Sequence, residues 1–227
     1  MKNVIAFLRK LKANNNREWF NAHKDEYLQA QKRFNDIVQQ IIDGIAQFDD
    51  TITGLTPKEC TFRIYRDVRF SKDKSPYKTH MGAYICRGGK KSGFSGYYFH
   101  VGVGGTGYPD AHMLAVGDYM CEPKVLQILR EDILFDGDYF QSVIDQADKD
   151  FVLDDSFKLK KVPKGFDPAS KWADYLKYKV FCLYQEPANE IMESNNMADI
   201  IIEKCRSAKP FLDFINRAIQ YVKEGNE

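Results

Sequence analysis

The sequence predicts an α+β fold. A mostly antiparallel central sheet is expected from about residue 60 to 120, with a further strand near 179–185, covered by N- and C-terminal helices. Three observations predict it. Apolar residues recur at helical spacing before residue 48 and again after residue 122. Between them, strand-like runs alternate with turns, and nine of the 15 glycines fall between Gly82 and Gly107. The order of helices, then strands, then mostly helices is unlike the strict alternation that builds a doubly wound parallel sheet.

The elements follow in chain order. Val4, Ile5, Phe7, Leu8 and Leu11 are spaced for a short amphipathic helix, broken by Asn14-Asn15-Asn16. Asn15 with Glu18 three residues on matches a capping box, so a long helix is expected from there through "REWFNAHKDEYLQAQKRFNDIVQQIIDGIAQF". Strand-like runs follow in "CTFRIYRDVRF", "MGAYICR", "GYYFHVGV" and "HMLAVGDY", with tight turns at Gly88-Gly89 and Gly104-Gly105. Pro123 is placed for the first turn of a helix over "EPKVLQILREDIL". "DYFQSVIDQADK" and "ASKWADYLKY" read as helices and "KVFCLYQEP" as a strand. "MADIIIEKCRSA" and "PFLDFINRAIQYVKE" close the chain as amphipathic helices.

A chain of 227 residues with 44% hydrophobic content buries a sizeable core, and residues 1–227 are read as a single domain. The N-terminal stretch is too short and too charged for a signal peptide, and no apolar run reaches the roughly 18 residues of a membrane span. A cytoplasmic protein with no membrane association is therefore expected. The five cysteines are scattered without paired spacing, as reduced packing thiols are. The four histidines show no HxH or HxxxH pattern, so neither a metal site nor a cofactor is expected.

Charge is the uneven feature. The net charge is +1, yet residues 61–91 carry nine Lys/Arg and two acids, a local +7 against −6 elsewhere. Read as a strand, residues 62–71 put Phe62, Ile64, Arg66, Val68 and Phe70 on one face and Arg63, Tyr65, Asp67 and Arg69 on the other. Arg66 then sits among core residues, where a guanidinium needs a carboxylate, carbonyls, a ligand or a bulge that turns it outward. Guanidinium forks suit carboxylate or phosphate. Lys72, Lys74, Lys78 and His80 add donors in "SKDKSPYKTH", where Pro76 fixes a turn. The competing reading is a solvated ladder of weak ion pairs.

Other candidates are weaker. Arg17, Lys24 and His23 gather at a helix start, where His23 can serve as a base or pack locally. Tyr98 and His100 share one strand face. If His80 pairs with His100 across the sheet, a small polar site results, with Asp67 as the orienting carboxylate. Gly102–Gly107 matches GxGxxG, but "YPDAHM" follows without helical period, so it reads as a glycine turn and not a dinucleotide fingerprint.

The runs "FLRKLKANNNREWFNAHKDEY", "FRIYRDVRFSKDKSPYKTHMGAY", "YYFHVG", "KVPKGFDP" and "KPFLDFINRAI" resemble the family catalogued as domain of unknown function 2461, over nearly the whole chain. The resemblance implies one whole-chain domain and no established activity, cofactor or substrate. It falls on Arg63, Arg66, Asp67, Arg69, Lys72, Lys74 and Lys78, and on Arg17, His23 and Lys24.

The leading expectation is a site for an anionic, phosphate-bearing ligand. It comprises Arg63, Arg66, Arg69, Lys72, Lys74, Lys78, Tyr98, Arg17 and Lys24, with His80, His100, Asp67 and His23 as candidates for acid/base chemistry. The first alternative is nucleic-acid binding through the basic loop and exposed Tyr and Phe residues. The second is a structural module docking an acidic partner.

Overall fold

In a computed structural model, which describes residues 1–225, the chain is α+β. The helices are α1 (Lys2–Ala13), α2 (Arg17–Ala22), α3 (Lys24–Ile45), α4 (Pro57–Cys60), α5 (Pro123–Phe135), α6 (Gly137–Asp145), α7 (Asn189–Glu193), α8 (Met197–Ser207) and α9 (Lys209–Glu224). The strands are β1 (Met81–Cys86), β2 (Gly96–Val101), β3 (Met113–Asp118), β4 (Val152–Leu153) and β5 (Phe181–Gln185). They form one antiparallel sheet of order β1-β2-β3-β5-β4. No described helix is long and apolar enough to cross a membrane.

By internal packing the chain divides into two compact units. The first comprises residues 1–92, 98–114 and 186–203. Here Val4, Ile5, Phe7, Leu8 and Leu11 of α1 are buried, as their helical spacing predicts, and α1 packs on α3. Phe34 of α3 stacks on Phe99 of β2, with ring centroids 6.1 Å apart. Phe99 and Val101 of β2 are buried, as the strand's period of two requires. The second unit comprises residues 93–97, 115–185 and 204–227. Its centre is Phe140 of α6, which meets Phe181 of β5 and Phe211 and Phe214 of α9 at 5.0–6.2 Å.

Four sequence expectations need correction. The long helix does not begin at Asn15. Asn16 is the N-cap, accepting from Trp19 N–H at 2.9 Å, and His23 interrupts the run between α2 and α3. Asn15 is used elsewhere: its amide donates to Tyr77 O at 2.9 Å and accepts from Tyr77 N–H at 3.1 Å. "ASKWADYLKY" forms turns and one 3₁₀ turn at Tyr175–Lys177, not a helix. In the fourth case residues 62–71 do not form a regular strand. They are held by isolated bridges, Thr61 to Ala83 and Tyr65 to Tyr77. Of the supposed core face only Ile64 is buried, whereas Phe70 is 96% exposed.

Candidate functional site

Residues 61–80 form a basic arm whose two sides pair irregularly. Phe62 N–H donates to Gly82 O at 3.0 Å, Lys78 N–H to Ile64 O at 2.7 Å, and Arg66 N–H to Pro76 O at 2.9 Å. Between the first two rungs one side advances two residues, from 62 to 64, while the other advances four, from 78 to 82. The surplus is a bulge centred on His80, and bulges re-aim side chains. Pro76 therefore lies on the returning side, and residues 67–75 make the tip.

The bulge seats His80 against β2. Its ring stacks on His100 at 4.3 Å and 12°, and Tyr108 packs on both rings. His100 Nε2 lies 3.1 Å from the Pro109 carbonyl, which can only accept, so Nε2 carries the proton. Nδ1 of the neutral ring is then an acceptor, and the Tyr98 hydroxyl donates to it at 2.9 Å. Both nitrogens of His100 are thus committed. His80 differs: only 8% of the residue is exposed, and its Nδ1 is buried with no hydrogen-bond partner.

Gly82 makes this arrangement possible. A Cβ there would meet the Tyr98 hydroxyl at 2.9 Å, so only glycine lets Tyr98 lie flat across β1 toward His100. The sequence carries a signal for it, a glycine inside a strand that neighbours an aromatic strand.

Both rings are held neutral. Burial lowers the His80 pKa to about 3, helped by His100, Lys78 and Arg66 nearby. Burial likewise lowers His100 to about 4, opposed by its bond to Pro109 and helped by His112 and Lys78. Lys78 lies over the Phe62 ring, 5.4 Å from its centroid, and burial and then Arg63 lower its pKa. Neither Lys78 nor Arg63 makes an ion pair among the described residues.

The remaining candidates are distributed elsewhere. Arg66 does not lie in a core; its side chain is 26% exposed, pairs with Asp73 and donates to Ser71 Oγ at 3.3 Å. Arg69 forks onto Asp67, with contacts of 2.6 to 3.2 Å, so this carboxylate orients an arginine and not a histidine. Lys74 folds back onto the Val68 carbonyl at 3.0 Å. Lys72 is exposed at the tip. His23 stacks on Trp19 at 4.1 Å and donates from Nδ1 to the Trp19 carbonyl at 2.8 Å, away from the histidine pair. Arg17 and Lys24 are exposed.

The GxGxxG segment leads into β3 with no helix, and Gly104 and Gly105 N–H both donate to the Asp110 carbonyl at 3.1 Å. Among the described residues no cluster of three or more His, Cys, Asp or Glu side chains is placed to hold a metal.

Chemically, the foot of the arm offers one imidazole nitrogen without a partner, two cations that make no ion pair among the described residues, and aromatic walls. No curated protein and no solved structure matches the chain. The family model described as conserved hypothetical protein (DUF2461) matches residues 3–214, and the chain belongs to that family.

Proposed function

We propose that the protein binds a small anion of the phosphate class at the foot of the arm, between Lys78, Arg63 and His80. The observation that carries this reading is the unbalanced pair of cations. Lys78 is partly buried beside Arg63, and neither makes an ion pair among the described residues; the one carboxylate whose charge Arg63 meets, Asp67, is already paired with Arg69. Elsewhere in the arm, Arg66 and Arg69 each have an aspartate. An anion restores the missing charge beside the His80 ring, whose buried Nδ1 has no partner. Phe62 and Tyr108 flank the position as apolar walls. If a proton moves during turnover, His80 is the group to move it, because His100 is locked by Tyr98 and Pro109.

The test is thermal stability at fixed ionic strength with inorganic phosphate or sulfate, on wild type, Lys78→Met and Lys91→Met. A ligand at about 100 times its dissociation constant adds about 2.7 kcal/mol. Stabilisation is expected in wild type and in the Lys91 variant, and is lost in Lys78→Met. A flat response in wild type would discard the small-anion site.

A further inference from the structure

We infer that the outer arm, residues 61–75, is a docking surface for single-stranded nucleic acid, whose phosphate enters the site at the arm's foot. This rests on the phosphate reading above and names the polymer that carries the phosphate. Three aromatic side chains stand exposed at three levels of the arm. Phe62 is 42% exposed at the foot, Tyr65 46% exposed at the rung to Tyr77, and Phe70 96% exposed at the tip. Phe70 contributes nothing to the core and meets the Arg69 guanidinium, 5.9 Å from the ring centroid. Isolated apolar residues are common on surfaces, but a ladder of aromatic faces interleaved with cations is the arrangement that takes unstacked bases. Arg63 makes no ion pair of its own among the described residues and meets only Asp67, which Arg69 already holds, Lys72 is exposed at the tip, and the 61–91 segment carries +7 in an otherwise acidic chain.

Two other polyanions fit less well. A duplex offers only the faces of its terminal base pairs and keeps the others stacked, so three exposed rings favour a single strand. An anionic membrane would take Phe70 into the headgroup boundary. That would strip water from the exposed Asp67–Arg69 and Asp73–Arg66 pairs on either side of it, and would leave Phe62 and Tyr65 unused.

The experiment is fluorescence anisotropy with a labelled twelve-nucleotide oligothymidylate, repeated with a duplex of equal length, over a salt series. Co-sedimentation with phosphatidylserine/phosphatidylcholine vesicles runs alongside. The proteins are wild type, Phe70→Ala, Lys72→Gln and Lys78→Met. Wild type should bind the single strand in preference to duplex and vesicles. The log–log salt slope should be about −2, for roughly three phosphates at about 0.7 each. Phe70→Ala should bind about tenfold more weakly, with its stabilisation by inorganic phosphate unchanged. Equal affinity of wild type and Phe70→Ala, or preference for duplex or vesicles, overturns the inference. Phosphate stabilisation without oligonucleotide binding overturns the arm and leaves the small-anion site. Phe70-dependent binding indifferent to Lys78→Met keeps the arm as the docking surface but overturns entry of the strand's phosphate into the site at its foot.

Discussion

Gly82 and Tyr98 set the geometry of the histidine pair. A methyl group at position 82 would push the Tyr98 hydroxyl off His100 Nδ1, because the hydroxyl lies 2.9 Å from where the Cβ would stand. Gly82→Ala should therefore cost about 1–3 kcal/mol. Tyr98→Phe should relieve part of that cost, so the two changes will not add. Urea unfolding of the four proteins in the cycle measures the coupling, and strict additivity would show that Tyr98 does not depend on Gly82. The histidines also fix a pH dependence. An unfolded histidine protonates near 6.5, whereas folded His80 and His100 resist until about 3 and about 4. Within that window the unfolded chain binds more protons, so stability falls as pH drops from about 6.5 and levels off only below about 3. Lys78, Arg66 and His112 face the pair and act in the same direction. The slope should approach about 1.4 kcal/mol per pH unit for each histidine. His80→Leu should flatten it in unfolding curves between pH 7 and 4; an unchanged slope would assign the effect to other groups.

The arm depends on the junction between α1 and α2. Irregular pairing gives it few ladder bonds of its own, and Asn15 compensates with two hydrogen bonds to the Tyr77 backbone. Phe20 of α2 stacks on the Tyr77 ring, 3.9 Å between centroids. Asn15→Ala removes both bonds and leaves a half-buried peptide unit to solvent or to nothing, at about 1–2 kcal/mol. The expected signature is faster amide exchange at Tyr77 and Lys78, with β2 unaffected. Asn16→Ala is the contrasting change. It removes the cap to Trp19 N–H, should cost about 1 kcal/mol, and should loosen α2 without freeing the arm amides.

Over the whole molecule, neither compact unit is a continuous piece of chain. The first unit closes with residues 186–203. Asn189 accepts from His112 Nε2 at 2.9 Å and donates to Gly104 O at 3.3 Å, and Ile202 fills the space left by Gly44 in α3. A fragment of residues 1–114 contains the arm and both histidines but lacks this closing segment. It should show no cooperative thermal transition, and a cooperative melt of that fragment would show that residues 186–203 are dispensable. In the second unit, Phe140→Ala opens a cavity among Phe181, Phe211 and Phe214 and should cost about 3–5 kcal/mol.

The α+β class, the buried stripe of α1 and the strands β1, β2, β3 and β5 were legible in the sequence because each rests on a local period of 3.6 or 2. So was the concentration of charge in residues 61–80. The stacking of His80 on His100 was only a conditional expectation, because His80 precedes β1 and a slip in the pairing, not strand alternation, aims its ring. The arm itself was not legible. Its period of two matched a strand, but its backbone pairs back on itself, 10 to 20 residues on, and out of register. The surplus residues at 78–82 turned His80 inward and left Phe70 in solvent. The role of Asn15 was hidden for the same reason: beside Asn16 it reads as a cap, and only Tyr77, 62 residues later, shows that its amide is needed elsewhere. Local periodicity thus determined which elements form. The slipped backbone pairing across the arm and the packing of β2 against it decided which side chains face solvent and where the imidazole without a partner lies.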